Sequence, residues 1–277
     1  MTLKRRTIKK TAAFEGIGIH SGHSASVTVL PLWDGTGIRF RFGGDIHPIT
    51  DARPCEALRS TSIAFPGGQR LRTVEHLLGA LAGLSISDAI IEAQSGTEFP
   101  ILDGSALPYV TGLTEAGIAE KDVPADVKVV IAPICVAHGA SSVTAIPSET
   151  LRVTYMIDYP GTAIGTAIKD AVITPESFAK EVAPARTFAL MSEVEHLRKA
   201  GLAAGGTLAN TLVFGENGPL NDPPSRMDGE CAAHKILDLL GDLALNGNIP
   251  TAHYICVRGG HRLHLGLAAR LAASAIK

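Results

Sequence analysis

The strongest constraint on the fold of this chain is an order of segments that occurs twice. SASVTVLPL (residues 24–32), GIRFRF (37–42) and STSIAF (60–65) alternate apolar and polar side chains, the period of a half-buried strand. They lead into TVEHLLGALAGL, a helical pattern with Thr73 expected as its N-cap and Gly83 at its end. DAIIEA (88–93) then reads as a strand, and a second helix is expected over 108–118. In the second half VKVVIAPICVA and LRVTYMIDY read as strands, followed by short helices around Glu176 and Glu193 and a strong helix over 231–246 stopped by Gly247. TAHYICV is a further strand, and HRLHLGLAARLAASA (261–275) a closing helix. Each half thus has strands, then a helix with a histidine in its first turn (His76, His234), then a strand. Two such lobes packed face to face would bring these histidines together from opposite sides.

Runs of strands with helices gathered between them point to the α+β class, where a strict βαβ rhythm would point to a parallel sheet. At 277 residues a single core stops growing, so two similar sheet-plus-helix lobes are expected. The polar, proline-containing stretch 119–127 is the expected linker, giving a first lobe over 1–122 and a second over 123–277. Lys plus Arg is 25 against 27 for Asp plus Glu, a balance that gives no reason for a nucleic-acid partner. No apolar run approaches the ~18 residues of a membrane span. The basic start leads to Glu15 and His20 where a signal peptide needs an apolar stretch, so a cytoplasmic location is expected. Cys55, Cys135, Cys231 and Cys256 lie far apart with no C-x-x-C pair, so a metal would need histidine and carboxylate ligands.

In CAAHKILDLLGD, His234, Asp238 and Asp242 fall at i, i+4 and i+8, one slowly drifting helical stripe opposite an apolar face. His with Asp at i+4 can bind one zinc ion through both side chains, and Gly241 is expected to keep that surface open. The same spacing also describes an ordinary solvated face. Glu75-His76 offers a third ligand, with the adjacent glutamate placed to take a proton from water. That dipeptide alone is weak, since Glu195-His196 repeats it on a helix expected to be exposed, and neither H-E-x-x-H nor its inverted form occurs. His261 follows Gly259-Gly260 at a helix start, where a flexible turn can present it to a site and Asp242 can orient it. His264, His196, His138 and His253 read as water-facing or satisfied interior residues. GIGIHSG (16–22) lacks dinucleotide-loop spacing and reads as a tight turn carrying His20 into a substrate cleft.

GIGIHSG, RTVEHLLGALAGL, FPILDGSALPYV, ARTFALMSEVEHLRKAGLAAGG, HKILDLLGDLAL and GGHRL occur in the order seen in the LpxC family, which the chain resembles over nearly its whole length. These are the zinc-dependent UDP-3-O-acyl-N-acetylglucosamine deacetylases of lipid A biosynthesis. The resemblance implies two similar α+β lobes with the site between them, His76, His234 and Asp238 as zinc ligands, and Glu75 as general base. It implies His261 as the charged partner of the oxyanion or leaving amine, Asp242 orienting it, and Thr187 at the oxyanion. Lys235 is implied at the substrate phosphate or reacting region. Phe188, Leu190, Met191, Leu202 and the small residues Ala203, Ala204, Gly205 and Gly206 match the acyl passage. Arg258 stands where the family usually has lysine, giving a possible diphosphate contact. Ala233, Ala209 and Tyr159 depart from the family pattern where nucleotide and outer contacts are expected. The implied reaction is hydrolytic deacetylation of a small-molecule UDP-sugar lipid with zinc, which iron can replace. The alternatives are a paralogue acting on another amino-sugar and a non-catalytic binding homologue.

Overall fold

The structure, a computed structural model, describes residues 3–55 and 58–274. In the first half, strands β1 (Ala12–Ile17), β2 (Ser24–Pro31), β3 (Ile38–Phe42), β4 (Asp45–Pro48) and β5 (Ala89–Ser95) form one sheet in the order β1-β2-β5-β3-β4. All pairs are antiparallel except β3 with β5. In the second half, β6 (Ile134–His138), β7 (Ser141–Ile146), β8 (Arg152–Tyr159), β9 (Gly165–Val172) and β10 (His253–Val257) form another in the order β6-β7-β10-β8-β9. Its one parallel pair, β8 with β10, holds the same place. The duplication expected from the sequence is therefore present strand for strand. The alternating pattern explains the sheets: Val27 and Val29, and Val153, Tyr155 and Ile157, are buried at every second position.

Two helices belong to the first half, α1 (Glu75–Gly83) and α2 (Leu107–Glu115), and four to the second: α3 (Pro175–Glu181), α4 (Met191–Lys199), α5 (Glu230–Leu243) and α6 (His261–Ala273). A parallel pair needs a crossover, and α1 lies on the path from β3 to β5 as α5 lies on that from β8 to β10. The helices of the two halves meet, with α1 against α5, and both are buried on almost every side. The backbones touch because both carry glycine at the crossing. A Cβ on Gly241 would stand 2.1 Å from the Glu75 carbonyl oxygen, and one on Gly79 2.6 Å from Leu237 Cδ1. Gly241 thus admits α1 instead of keeping a ligand surface open.

Several local expectations are corrected. Thr73 is not the N-cap: that position is Val74, while Thr73 has φ 57° and donates its hydroxyl to Glu98 at 3.0 Å. Helix α2 stops at Glu115, and Gly117 turns at φ 77°. The expected linker opens as a strand, Ile118–Pro124, paired antiparallel with Lys4–Ile8. Its polar look misleads because Lys121 is buried, bound to Asp88 at 3.0 Å and to the carbonyl oxygens of Leu32 and Gly35. VKVVIAPICVA is a strand only from Ile134, since Pro133 cannot donate to a ladder; before it only Val129 bridges, to Thr251. The end of the strong helix tightens to a 3-10 turn, Ala244–Asn246. Residue 275 of the closing helix lies outside the described residues. Among the described residues no helix is long and apolar enough to cross a membrane.

Candidate active site and metal centre

Helix α1 contributes His76 and helix α5 contributes His234 and, one turn on, Asp238. Their ligand atoms lie within 4.8 Å of one another and all three residues are buried. The imidazole centroids are 5.0 Å apart. Nδ1 of His234 donates to the Ala185 carbonyl oxygen at 2.9 Å, which leaves its Nε2 beside Asp238 Oδ1 at 3.4 Å. Nδ1 of His76 is buried and finds no hydrogen-bond partner among the described residues, a costly arrangement that a cation would relieve. Burial, and then the neighbouring His234, pushes His76 down to about 3. Burial also lowers His234, so both rings are neutral, the form that binds metal. Burial alone would raise Asp238, but Lys235 at 2.7 Å, with His261 beside it, holds it well below the usual carboxylate range. Two neutral imidazoles and one carboxylate fit a divalent ion.

Glu75 precedes His76 and accepts the Thr61 N–H at 3.1 Å. Burial pushes its carboxyl up to about 8. His261 opens α6, with Nδ1 donating to Asp242 Oδ2 at 2.8 Å and Nε2 3.9 Å from Asp238 Oδ2. Burial would lower His261, but Asp242, Asp238 and Glu75 outweigh it and raise it to about 9. Asp242 is fully buried; its Oδ1 takes the Thr61 hydroxyl and its Oδ2 a second bond, from His264. The helical stripe is therefore divided: His234 and Asp238 face α1, and Asp242 faces α6.

Glu75, His76, His234, Asp238 and His261 line a cavity of about 730 Å³, together with Thr187, Lys235, Arg258 and His20. Phe188, Met191, Leu202 and Leu208 give it an apolar arm. Burial alone would lower Lys235, but Asp238 beside it more than restores its charge, and its Nζ sits 5.7 Å from the Phe188 ring centroid. Tyr159 meets Phe188 edge to face at 5.8 Å. Arg258 adopts φ 51° and pairs with Asp158 at 3.3 Å. The turn carrying His20 is held by Glu98, whose carboxylate accepts the N–H groups of His20 and Ser21 at 2.9 and 2.8 Å.

Some expected passage residues do not line the cavity. Leu190 packs against the core, Ala204 is exposed, and Gly205 is buried with its Cβ direction aimed 2.3 Å from the Gly18 carbonyl oxygen. Of the glycines in that segment, Gly206 lines the cavity. His196 is exposed on α4, unlike His76. Of the departures from the family pattern, Ala233 is buried in α5 and Ala209 is exposed. Sequence reasoning missed Thr61 and Glu98, which come from distant segments with no spacing to betray them. His264, expected to face water or to be a satisfied interior residue, is the latter: it is buried, bonded to Asp242 and Tyr155, and shares one face of α6 with His261.

A family model described as LpxC, UDP-3-O-acyl N-acetylglycosamine deacetylase, matches residues 5–273. A protein of Thermosynechococcus vestitus named UDP-3-O-acyl-N-acetylglucosamine deacetylase is 42% identical, covering 97% of this chain and 94% of its own. Proteins of the same name from Trichormus variabilis (41%, covering 98% and 99%) and Pseudomonas entomophila (37%, covering 98% and 91%) are similar over comparable spans. A family model that spans residues 5–273 and relatives about 40% identical over almost the whole chain show that this protein belongs to the LpxC deacetylases.

Proposed function

We propose that the chain hydrolyses the 2-acetamido group of UDP-3-O-acyl-N-acetylglucosamine, releasing acetate, as a step of lipid A biosynthesis. One observation carries the reading: a two-histidine, one-carboxylate cluster shares a cavity floor with a buried glutamate and an aspartate-held histidine. His76, His234 and Asp238 would hold zinc, and ferrous iron suits the same donors. When bound, the ion supplies Lewis-acid polarisation of the amide carbonyl and the attacking water.

Glu75 takes the proton from that water, and the burial that raises its carboxyl makes it a stronger base than a surface glutamate. His261 keeps its proton through Asp242 and directs it to the developing oxyanion or the departing amine. Thr187 adds a hydroxyl at the cavity wall. Lys235 and Arg258 supply positive charge for phosphate or the reacting region, and His20 forms the wall of the sugar-nucleotide side. Phe188 and the apolar arm receive the 3-O-acyl chain, each buried methylene contributing up to ~0.8 kcal/mol. A cytoplasmic setting accords with four free cysteines.

The test is acetate release by the metal-loaded protein from the acylated and unacylated UDP-sugars. A steep fall in kcat/KM without the acyl group is expected. Equal turnover of both would replace this substrate with another amino-sugar, and release from neither would overturn the activity.

A further inference from the structure

Behind His261 runs a second chain of buried hydrogen bonds. Oδ2 of Asp242 accepts from Nδ1 of His261 and from Nδ1 of His264, each at 2.8 Å. The other ring nitrogen of His264, Nε2, lies 2.8 Å from the Tyr155 hydroxyl. The proton positions follow from the partners. Asp242 is ionised, His261 outweighing the burial that opposes its charge, so it only accepts and His264 must carry hydrogen on Nδ1. His264 has no exposed surface and burial lowers it, so Nε2 is bare and Tyr155, kept protonated by its own burial, donates to it. Each bond from Tyr155 through His264 and Asp242 to His261 therefore has a fixed direction. Asp242, His261 and His264 have the composition of a metal cluster, but the shared carboxylate oxygen already receives two N–H bonds.

The members come from three elements. Tyr155 stands on β8, Asp242 on α5, and His261 and His264 lie three residues apart on α6. The turn that launches α6 rests on the same hydroxyl: a Cβ on Gly259 would stand 2.7 Å from Tyr155 Oη. With one imidazole partner Asp242 could rotate and carry His261 with it. With His264 on the same oxygen and Thr61 on the other, rotation would leave buried polar groups unpaired, at the full desolvation cost.

Building on the role assigned to His261, we propose that His264 and Tyr155 are positioning residues for the deacetylation, locking Asp242 so that the His261 ring presents Nε2 to the metal cluster. In the metal-loaded protein His264→Leu is expected to lower kcat about 10- to 100-fold, the range for outer partners of a metal site. KM should move less than about twofold, the mark of a group acting on the transition state. Metal content should be unchanged. His264→Asn, whose amide can donate to Asp242 in place of Nδ1, should recover most of the kcat, and Tyr155→Phe should give a smaller loss than His264→Leu. In a His261→Ala background His264→Leu should cost nothing further, because the two act as one unit. Full kcat in His264→Leu, a loss that multiplies with that of His261→Ala, or a loss that follows Tm without rescue by Asn would each overturn the proposal. If His264→Leu does not fold, Tyr155→Phe takes its place in the same cycle. Wild-type turnover in His261→Ala would instead remove the acid–base assignment itself, and the positioning role with it.

Discussion

In the proposed reaction Glu75, a carboxyl buried to 2% exposure, changes its protonation state in every turnover. Glu75→Gln keeps the volume and an oxygen for the Thr61 N–H, so the variant should retain stoichiometric metal while turnover falls roughly 10²- to 10⁴-fold, the usual share of a positioned base. Metal analysis beside initial rates checks this, and near-normal turnover would take Glu75 out of the mechanism. His20 is a test of burial. Burial first, then the Arg72 charge, pushes it down to about 4 from the ordinary 6.5, with Glu98 acting in the other direction. Between those values the unfolded chain takes up the proton and the folded chain does not, so stability present above pH 6.5 is lost as pH falls toward 4. The Tm should drop between about pH 7 and 5, and drop less in His20→Gln; equal slopes would mean that His20 titrates as a free imidazole. At this scale the spacing of His234 and Asp238 was legible, because i and i+4 share a face in any helix. Glu98 and Thr61 were not, since their roles exist only once distant strands have brought them to the site.

Neighbours in the short segment 201–206 take different places in the structure. The resemblance implies an acyl passage there, and only some of its small residues line the cavity. Gly205 donates its N–H to the Ile19 carbonyl at 3.0 Å and packs the segment onto the His20 turn. A Cβ on Gly206 would meet the Ala203 carbonyl oxygen at 3.3 Å, and Gly206 lines the cavity. Gly205→Val should therefore lower Tm, with an overpacking cost of about 1–3 kcal/mol. Gly206→Val should leave Tm nearly unchanged and reduce kcat/KM for the acylated substrate. Paired thermal melts and kinetics separate the two, and the reverse pattern would restore Gly205 to the passage. Alternation revealed most strands because period two survives any tertiary context, whereas residues 118–124 escaped notice. Their buried lysine is stabilised by Asp88, 33 positions earlier, which no local window reveals. Thr73 failed as a cap for a similar reason: Glu98 claims its hydroxyl.

Across the whole molecule, the repeated sheet order was legible as a repeated order of segments, and so was the face-to-face packing that joins His76 to His234; the close backbone crossing of the two helices was not, because it rests on glycines whose purpose depends on the partner helix. The cluster draws His76 from one half and His234 with Asp238 from the other, so a bound ion ties them together. An ion at 100 times its Kd adds about 2.7 kcal/mol to the folded state. For a chain of this size that raises Tm by about 5 °C. Chelator-treated protein should melt lower by that margin, zinc should restore it, and His234→Ala should show no zinc-dependent shift; an unchanged melt on stripping the native protein would sink the cluster.

Only Asp126 and Val127 separate two firm anchors on the connecting strand of chain. The Ala125 N–H donates to the Leu3 carbonyl at 2.7 Å in the first half, and the Lys128 carbonyl accepts from Thr251 at 2.7 Å in the second. A nick between those two residues would free two polypeptides, each ending where its own half already grips it. One would carry a single imidazole of the ion's shell and the other an imidazole and a carboxylate. Neither could complete the shell alone, so uptake of the ion would act as a logical conjunction, reporting the presence of both fragments in a one-to-one complex.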